Sequence, residues 1–269
     1  MKYEAIIESR RDAVGIISLN RPERMNAVSE EMYLELQDAL EAFRVDEAIR
    51  TVIVTGSVRV KDGVEKQAFC AGADLKKHSS GERTHRDKRR YIELAHETTR
   101  RIHEFPKPVI AAVNGPARGA GAELALACDF IFMADGATLA FPETGLGTFV
   151  GGGVTLHLTR TVGLMRAKEL IYTGKVVDAA MAVEIGLALS RHPVKELMDA
   201  VMAMAETMAG KAPISMAMAK EFLQEGQRRD LATILKLETD AILSCMDTED
   251  WQEGVDSFAQ KRKPVYKGR

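Results

Sequence analysis

Apolar and polar positions alternate with a period of two over residues 4–8 and 13–20, which predicts two strands with the Arg11-Asp12 region as the turn between them. A helical period follows: Leu34, Leu36, Leu40 and Phe43 fit one face of a helix that Ser29 is placed to cap. Thr51-Val52-Ile53-Val54-Thr55 is a β-branched run, read as a buried parallel strand. After a polar loop to Gln67, Ala68-Phe69-Cys70 predicts a brief strand ending at Gly72. The pattern then gives a helix over about 88–104, a strand over Val109–Val113, a short helix from Gly119 through Cys128 and a strand over Phe130–Ala134. Strand and helix alternate, which argues an α/β architecture.

Beyond about residue 194 the strand pattern stops. Helical periods occupy roughly 194–209, 213–225, 230–245 and 247–261, punctuated by Gly210, Pro213 and Gly226. Met198, Met202, Met204, Met208, Met216 and Met218 read as helix core rather than a ligand surface. Two regions are therefore expected: a core over 1–193 that carries any active site, and a C-terminal helical region over 194–269. Trp251 reads as a packing anchor of the last helix, and His157, among apolar residues, as structural.

Composition narrows the classes. The chain has 269 residues, 46% hydrophobic and 28% charged, enough to bury a sizeable core. A net charge of -2 gives no basic field for nucleic acid and no acidic excess for disorder. Cys70, Cys128 and Cys245 lie far apart, in no metal-like or paired spacing, and read as reduced thiols. The first residues lack the pattern of a secretory signal or a transit peptide, and no window approaches the roughly 20 apolar residues of a membrane span. A cytoplasmic protein without a membrane partner is expected. The basic stretch over residues 76–90 reads as a solvated loop leading into a helix, with contacts to an anionic ligand as the alternative.

Three segments carry candidate chemistry. In Gln67-Ala68-Phe69-Cys70-Ala71-Gly72-Ala73-Asp74-Leu75-Lys76 a strand ends in a turn of small residues, so amides can face a ligand. In Asn114-Gly115-Pro116-Ala117-Arg118-Gly119-Ala120-Gly121-Ala122-Glu123 a glycine-rich stretch opens a helix, which points unpaired amides and the positive dipole end at an anion. It lacks the glycine pattern of a dinucleotide fingerprint. Glu123 sits on its first turn, where a dipole-satisfying surface carboxylate is the competing reading. In the third, Glu143 lies in a loop between Phe141 and Leu146, and Gly151-Gly152-Gly153 opens the next helix, a mark of close backbone approach. Spacing alone does not say that the two glutamates converge.

These segments, with Leu19-Asn20-Arg21-Pro22, Asn26-Ala27 and Lys261-Arg262-Lys263-Pro264, closely resemble the crotonase superfamily, the enoyl-CoA hydratases in particular, along nearly the whole chain. The resemblance implies a crotonase-type ββα spiral core with a C-terminal helical trimerisation region, assembling as a homotrimer or hexamer. It implies an acyl-CoA thioester as substrate, with coenzyme A as part of it and no separate cofactor or metal. The implied oxyanion donors are the backbone N–H groups of Ala73 and Ala120, and the implied catalytic pair is Glu123 and Glu143. Hydratases commonly carry Gly where this chain has Ala120, whose methyl narrows the acyl pocket. CoA contacts carry over to Ala71, Ala73, Asp74, Leu75 and Lys76, with Arg24 and Lys261 for phosphates. Gly121, Thr148, Phe149 and Val150 are assigned to the substrate.

The resemblance implies reversible hydration of a 2-enoyl-CoA or related conjugated acyl-CoA. Members that only isomerise typically lack one of the two glutamates. An isomerase, or a hydratase of a branched, dienoyl or aromatic-pathway thioester, is the alternative within the family. An RNA-binding or scaffold protein using the basic 76–90 stretch is the alternative of another class, and the net charge of -2 weighs against it.

Overall fold

A computed structural model describes residues 3–74, 84–226 and 229–269. Its centre is a six-stranded sheet that runs, edge to edge, Ile6–Arg11, Val14–Leu19, Thr51–Gly56, Val109–Val113, Phe130–Ala134 and Ser190–His192. The first two strands form an antiparallel hairpin, with Asp12 in the left-handed region at φ 50° in the turn. Every other neighbouring pair is parallel. Thr51–Gly56 and Val109–Val113 are buried along their whole length, as expected of central parallel strands covered on both faces.

Local chemistry sets the helix ends. Ser29 accepts a hydrogen bond from the Met32 amide at 3.2 Å and starts the helix Glu30–Val45, whose Met32, Tyr33, Leu36, Leu40 and Phe43 are buried. Leu34, expected on the buried face, is exposed. A reciprocal capping box between Thr84 and Asp87 starts the next helix at His85, three residues before the apolar pattern becomes visible. The two helices pack on each other, and Gln37 donates to the Thr98 hydroxyl at 2.9 Å across the buried seam. The predicted strand at 68–70 is reduced to a single bridge, Cys70 to Ala117.

Beyond the last strand, the helix Leu197–Ala209 lies across the sheet and buries Leu197, Val201, Met202, Ala205 and Met208 in the main core. The Thr51 hydroxyl donates to the Ala205 carbonyl at 3.2 Å. Three outer helices follow, Pro213–Glu225, Leu231–Met246 and Glu249–Ala259. Lys220 ties the first of them to the core, donating to Asp129 Oδ2 at 2.8 Å and to the Lys107 carbonyl at 3.3 Å. Trp251 is half exposed, so the anchor role read from the sequence does not hold. Asp250 fastens the chain end instead, accepting from the amides of Lys267 and Gly268. Among the described residues no helix is long and apolar enough to cross a membrane.

Candidate active site

A small second sheet, Val177–Asp178, Thr138–Ala140 and Ala117–Arg118, brings the three candidate segments together at one end of the core. The 70–74 turn is held from two sides. Cys70 donates its amide to the Pro116 carbonyl and accepts from the Arg118 amide, while Gly72 accepts from the Val28 amide at 2.9 Å. Asn26, fully buried, braces the strand behind the turn: its side-chain nitrogen donates to the carbonyls of Ala68 and Ser57, and its Oδ1 accepts from the Arg21 amide. Arg21 in turn reaches Asp74 at 3.3 Å.

Gly72 sits at φ +95°, where an L side chain is strained, and an added Cβ would stand 2.7 Å from the Arg118 carbonyl oxygen and 3.8 Å from the Ala120 nitrogen. Turn and helix N-terminus are thus pressed together. The helix Ala120–Ala127 has no side-chain cap; the Glu123 amide bonds back to the Gly119 carbonyl at 2.9 Å, while the amide that opens the helix, that of Ala120, has no intrahelical acceptor. Among the described residues, neither the Ala73 nor the Ala120 N–H has a protein acceptor. Gly121 explains how the helix approaches so closely: a Cβ there would lie 2.2 Å from the Cys70 carbonyl oxygen. That residue makes a backbone contact within the scaffold.

The two glutamates flank this helix terminus. Glu143 opens a 3-10 turn over Glu143–Leu146, and a Cβ added to Gly119 would lie 2.7 Å from its Oε1. Glu123 projects from the helix toward the glycine run, where the Gly151 amide donates to its Oε1 at 2.7 Å. Both side chains belong to residues only 8% exposed. Burial pushes the Glu123 carboxyl above the ordinary carboxylate range, against the pull of the Gly151 amide. Burial also raises Glu143, and the neighbouring charge of Glu123 raises it further. Both carboxyls therefore hold a proton more readily than an exposed glutamate does. Cys70 is excluded as a nucleophile, because complete burial pushes its thiol up to about 12.

The other assigned residues divide by location. Ala71 donates its amide to the Met25 carbonyl at 3.0 Å, and Ala71, Ala73 and Asp74 lie together in the turn. Arg24 is exposed at the end of the 3-10 turn Pro22–Arg24, on the segment that pairs with the 71–73 turn. Val150 is buried beside the glycine run, whereas Thr148 and Phe149 are exposed, Phe149 by 71%. Lys261 is exposed just past the last helix, and no described contact joins it to the 71–74 turn. Leu75, Lys76 and most of the basic stretch lie outside the described residues. Among the described residues no group of His, Cys, Asp and Glu could hold a metal ion.

Two participants escape sequence reasoning. The glycine run announces a close approach, yet nothing in it tells that the Gly151 amide would meet Glu123. His96, on the helix His85–His103, carries no signal at all, yet its Nε2 and the Glu123 carboxylate both border Gly151, 3.1 and 3.3 Å from where a Cβ there would stand.

The family described as Enoyl-CoA hydratase/isomerase matches residues 9–269. The chain is 36% identical to the crotonyl-CoA hydratase of Syntrophomonas wolfei over 263 residues, covering 98% of both chains. It is 37% identical to the mitochondrial enoyl-CoA hydratase of Pongo abelii, over 98% of this chain and 88% of that one. Its fold superposes on the crystal structure of the enoyl-CoA hydratase from Bacillus anthracis with a TM-score of 0.92 at 38% identity, covering 99% of this chain and all of the other.

Proposed function

The chain belongs to the enoyl-CoA hydratase/isomerase family, and from that premise we propose that it is a hydro-lyase adding water reversibly across the conjugated double bond of a 2-enoyl-CoA thioester. Hydration drives negative charge onto the thioester oxygen as an enolate forms. We assign the amides of Ala73 and Ala120 to that oxygen. Both lie beside Gly72 without a protein acceptor among the described residues, and such a preorganised donor is worth about 2.7–4 kcal/mol of transition-state stabilisation. One of Glu123 and Glu143 takes the proton of the attacking water while the other delivers one to Cα.

The observation that carries this reading is the paired burial of Glu123 and Glu143 around one helix terminus, each pushed toward protonation. A double-bond isomerase needs one base to shuttle a single proton, so two such carboxyls favour water addition. CoA enters as part of the substrate, with Ala71 and Asp74 for its adenine side and Arg24 for phosphate. Leu75, Lys76 and Lys261 join them on resemblance alone. Thr148, Phe149 and Val150 are assigned to the acyl chain, and Gly121 supports the oxyanion amide from behind. The reading calls for no metal or further cofactor. Self-association as a homotrimer or hexamer is proposed from apolar side chains that stay exposed on the outer helices, among them Leu231, Leu235, Ile242 and Phe258. Cytoplasmic residence is proposed from three cysteines outside any disulfide.

The test is hydration of crotonyl-CoA, followed by loss of the conjugated thioester's absorbance. Wild type should turn over. Glu123→Gln and Glu143→Gln should each lose roughly 10²–10⁴-fold, the usual range for removing a general acid or base. Full activity in either variant overturns the assignment.

A further inference from the structure

Arg21 opens the loop that grips the 70–74 turn, and its guanidinium is shared between acceptors on either side of that grip. Nη1 donates to the Ala27 carbonyl at 2.6 Å, and Nη2 reaches Asp74 Oδ2 at 3.3 Å. The backbone of Arg21 is fixed as well. Its N–H donates to Asn26 Oδ1, and its carbonyl accepts from the amides of Arg24 and Asn26. The side chain is 22% exposed, so polar contacts hold it in place and its removal opens no core.

Two peptide groups carry this grip from Arg21 to the oxyanion amide. A trans peptide points its C=O and its N–H in opposite directions, so whatever fixes one fixes the other. Among the described residues no peptide bond is cis. The Ala27 carbonyl, taken by Arg21, shares a peptide with the Val28 N–H, which donates to the Gly72 carbonyl at 2.9 Å. The Gly72 carbonyl in turn shares a peptide with the Ala73 N–H. That N–H therefore points away from Val28, and among the described residues it has no protein acceptor. Guanidinium, first peptide, second peptide and open N–H form one hydrogen-bonded line. Each member of such a line polarises the next, and the cation stands at the end that strengthens the final donor.

Hydration places negative charge on the thioester oxygen, at the far end of this line. Resting on the hydratase reading and its assignment of Ala73, we propose that Arg21 is a positioning residue of the oxyanion hole: it aims and strengthens the Ala73 N–H through the Ala27–Val28 and Gly72–Ala73 peptides. Asp74 lies beside the cation and offsets part of its charge, so aim is the larger effect. The rigid fork of an arginine suits this task. Its two nitrogens span residue 27, just before Val28, and residue 74, just after Ala73, and so lock the register in which Val28 pairs with Ala73. A lysine ammonium brings equal charge but no fork. The second donor needs no such device. The Gly119 carbonyl, which shares a peptide with the Ala120 N–H, is held by the Glu123 amide at 2.9 Å within the helix itself. Arg21 acts through Ala73 and touches no reacting atom.

The experiment reads crotonyl-CoA hydration and, separately, the infrared carbonyl stretch of bound butanoyl-CoA, isotope-labelled at its carbonyl carbon. That saturated thioester cannot add water, so its band reports the hole without turnover. Wild type is compared with Arg21→Lys and Arg21→Ala. Both variants should lose about tenfold in kcat with KM within about twofold, less than loss of a whole oxyanion donor, because the N–H is present but poorly aimed. The band of bound butanoyl-CoA should lie below that of the free thioester in wild type and move back toward it in both variants. Millimolar guanidinium should restore part of the kcat of Arg21→Ala, and sodium chloride at equal ionic strength should not. A merely structural role leaves the band of the folded protein where it is. Unchanged kcat, an unchanged band, a loss carried by KM alone, or melting of both variants below the assay temperature overturns the proposal. A wild type that shifts the band but does not hydrate crotonyl-CoA overturns the hydratase reading instead, a separate outcome.

Discussion

Glu143 Oε2 is buried without a hydrogen-bond partner among the described residues, while Glu123 has the Gly151 amide. The less satisfied carboxyl gains more from keeping a proton, and the charge of Glu123 pushes it the same way. On the hydratase reading, kcat/KM should be bell-shaped in pH, with both limbs belonging to the pair: the acid limb where both carboxyls are protonated, the alkaline limb where the shared proton is lost. In Glu143→Gln the residual rate should show one limb only; a bell that persists there refutes the coupling. Stability follows from the same shift. Because the fold raises the Glu123 carboxyl, the native state binds more protons than the unfolded chain between the unfolded value of about 4.3 and the raised one. Stability therefore falls as pH rises through that window. Glu123→Gln should melt higher than wild type at pH 7, by roughly 2–4 °C per kcal/mol relieved, with the gain vanishing below about pH 4. At this scale the glutamates were legible because they stood in glycine-rich, apolar frames that resemble a family pattern, not because their spacing placed them together. The Gly151 contact to Glu123 was not, because which amide meets that carboxyl depends on how the chain folds and not on neighbours in sequence.

The helix Ala120–Ala127 is the element that aims the chemistry, and its close approach to the 70–74 turn depends on a residue without a side chain. A Cβ at Gly121 would meet Cys70 backbone oxygen at 2.2 Å, which no rotamer change can relieve. Gly121→Ala should force the helix off the 70–74 turn, cost about 1–3 kcal/mol and lower hydration of crotonyl-CoA together with melting temperature. Gly136→Ala is the control, since nothing lies within 4 Å of its added Cβ, and it should change neither measurement appreciably. Equal behaviour of the two variants removes the helix position from the account. Elements were read well where periodicity and caps agree, as in the Ser29 start and the fully buried strands. They were read poorly where pairing is nonlocal. The strand expected at 68–70 is one bridge to Ala117, because its partner segment turns into a helix two residues later. The small sheet joining residues 117–118, 138–140 and 177–178 leaves almost no periodic trace, since its strands are two or three residues long.

For the whole molecule, the question is what holds the outer helices against the core. The sequence announces four C-terminal helices, but not that the first would join the sheet's core while the others stay outside, since both kinds share apolar periodicity. Docking of the second rests on a charge. Lys220 is only 8% exposed at its side chain, and its ammonium is held by Asp129 and by the Ile102 and Lys107 carbonyls. Asp129 also accepts from the Val109 amide, so the same carboxylate fixes the edge of a central strand. Lys220→Met keeps most of the stem's packing but leaves a buried carboxylate without its counter-ion. Removing one partner of such a pair costs about 3–5 kcal/mol, more than replacing both with apolar groups. Lys220→Met should therefore melt well below wild type and expose the link near Gly210 to limited proteolysis, whereas Lys220→Met combined with Asp129→Leu should recover part of the loss. If the single variant is as protease-resistant as wild type, the outer helices are held by their apolar contacts alone.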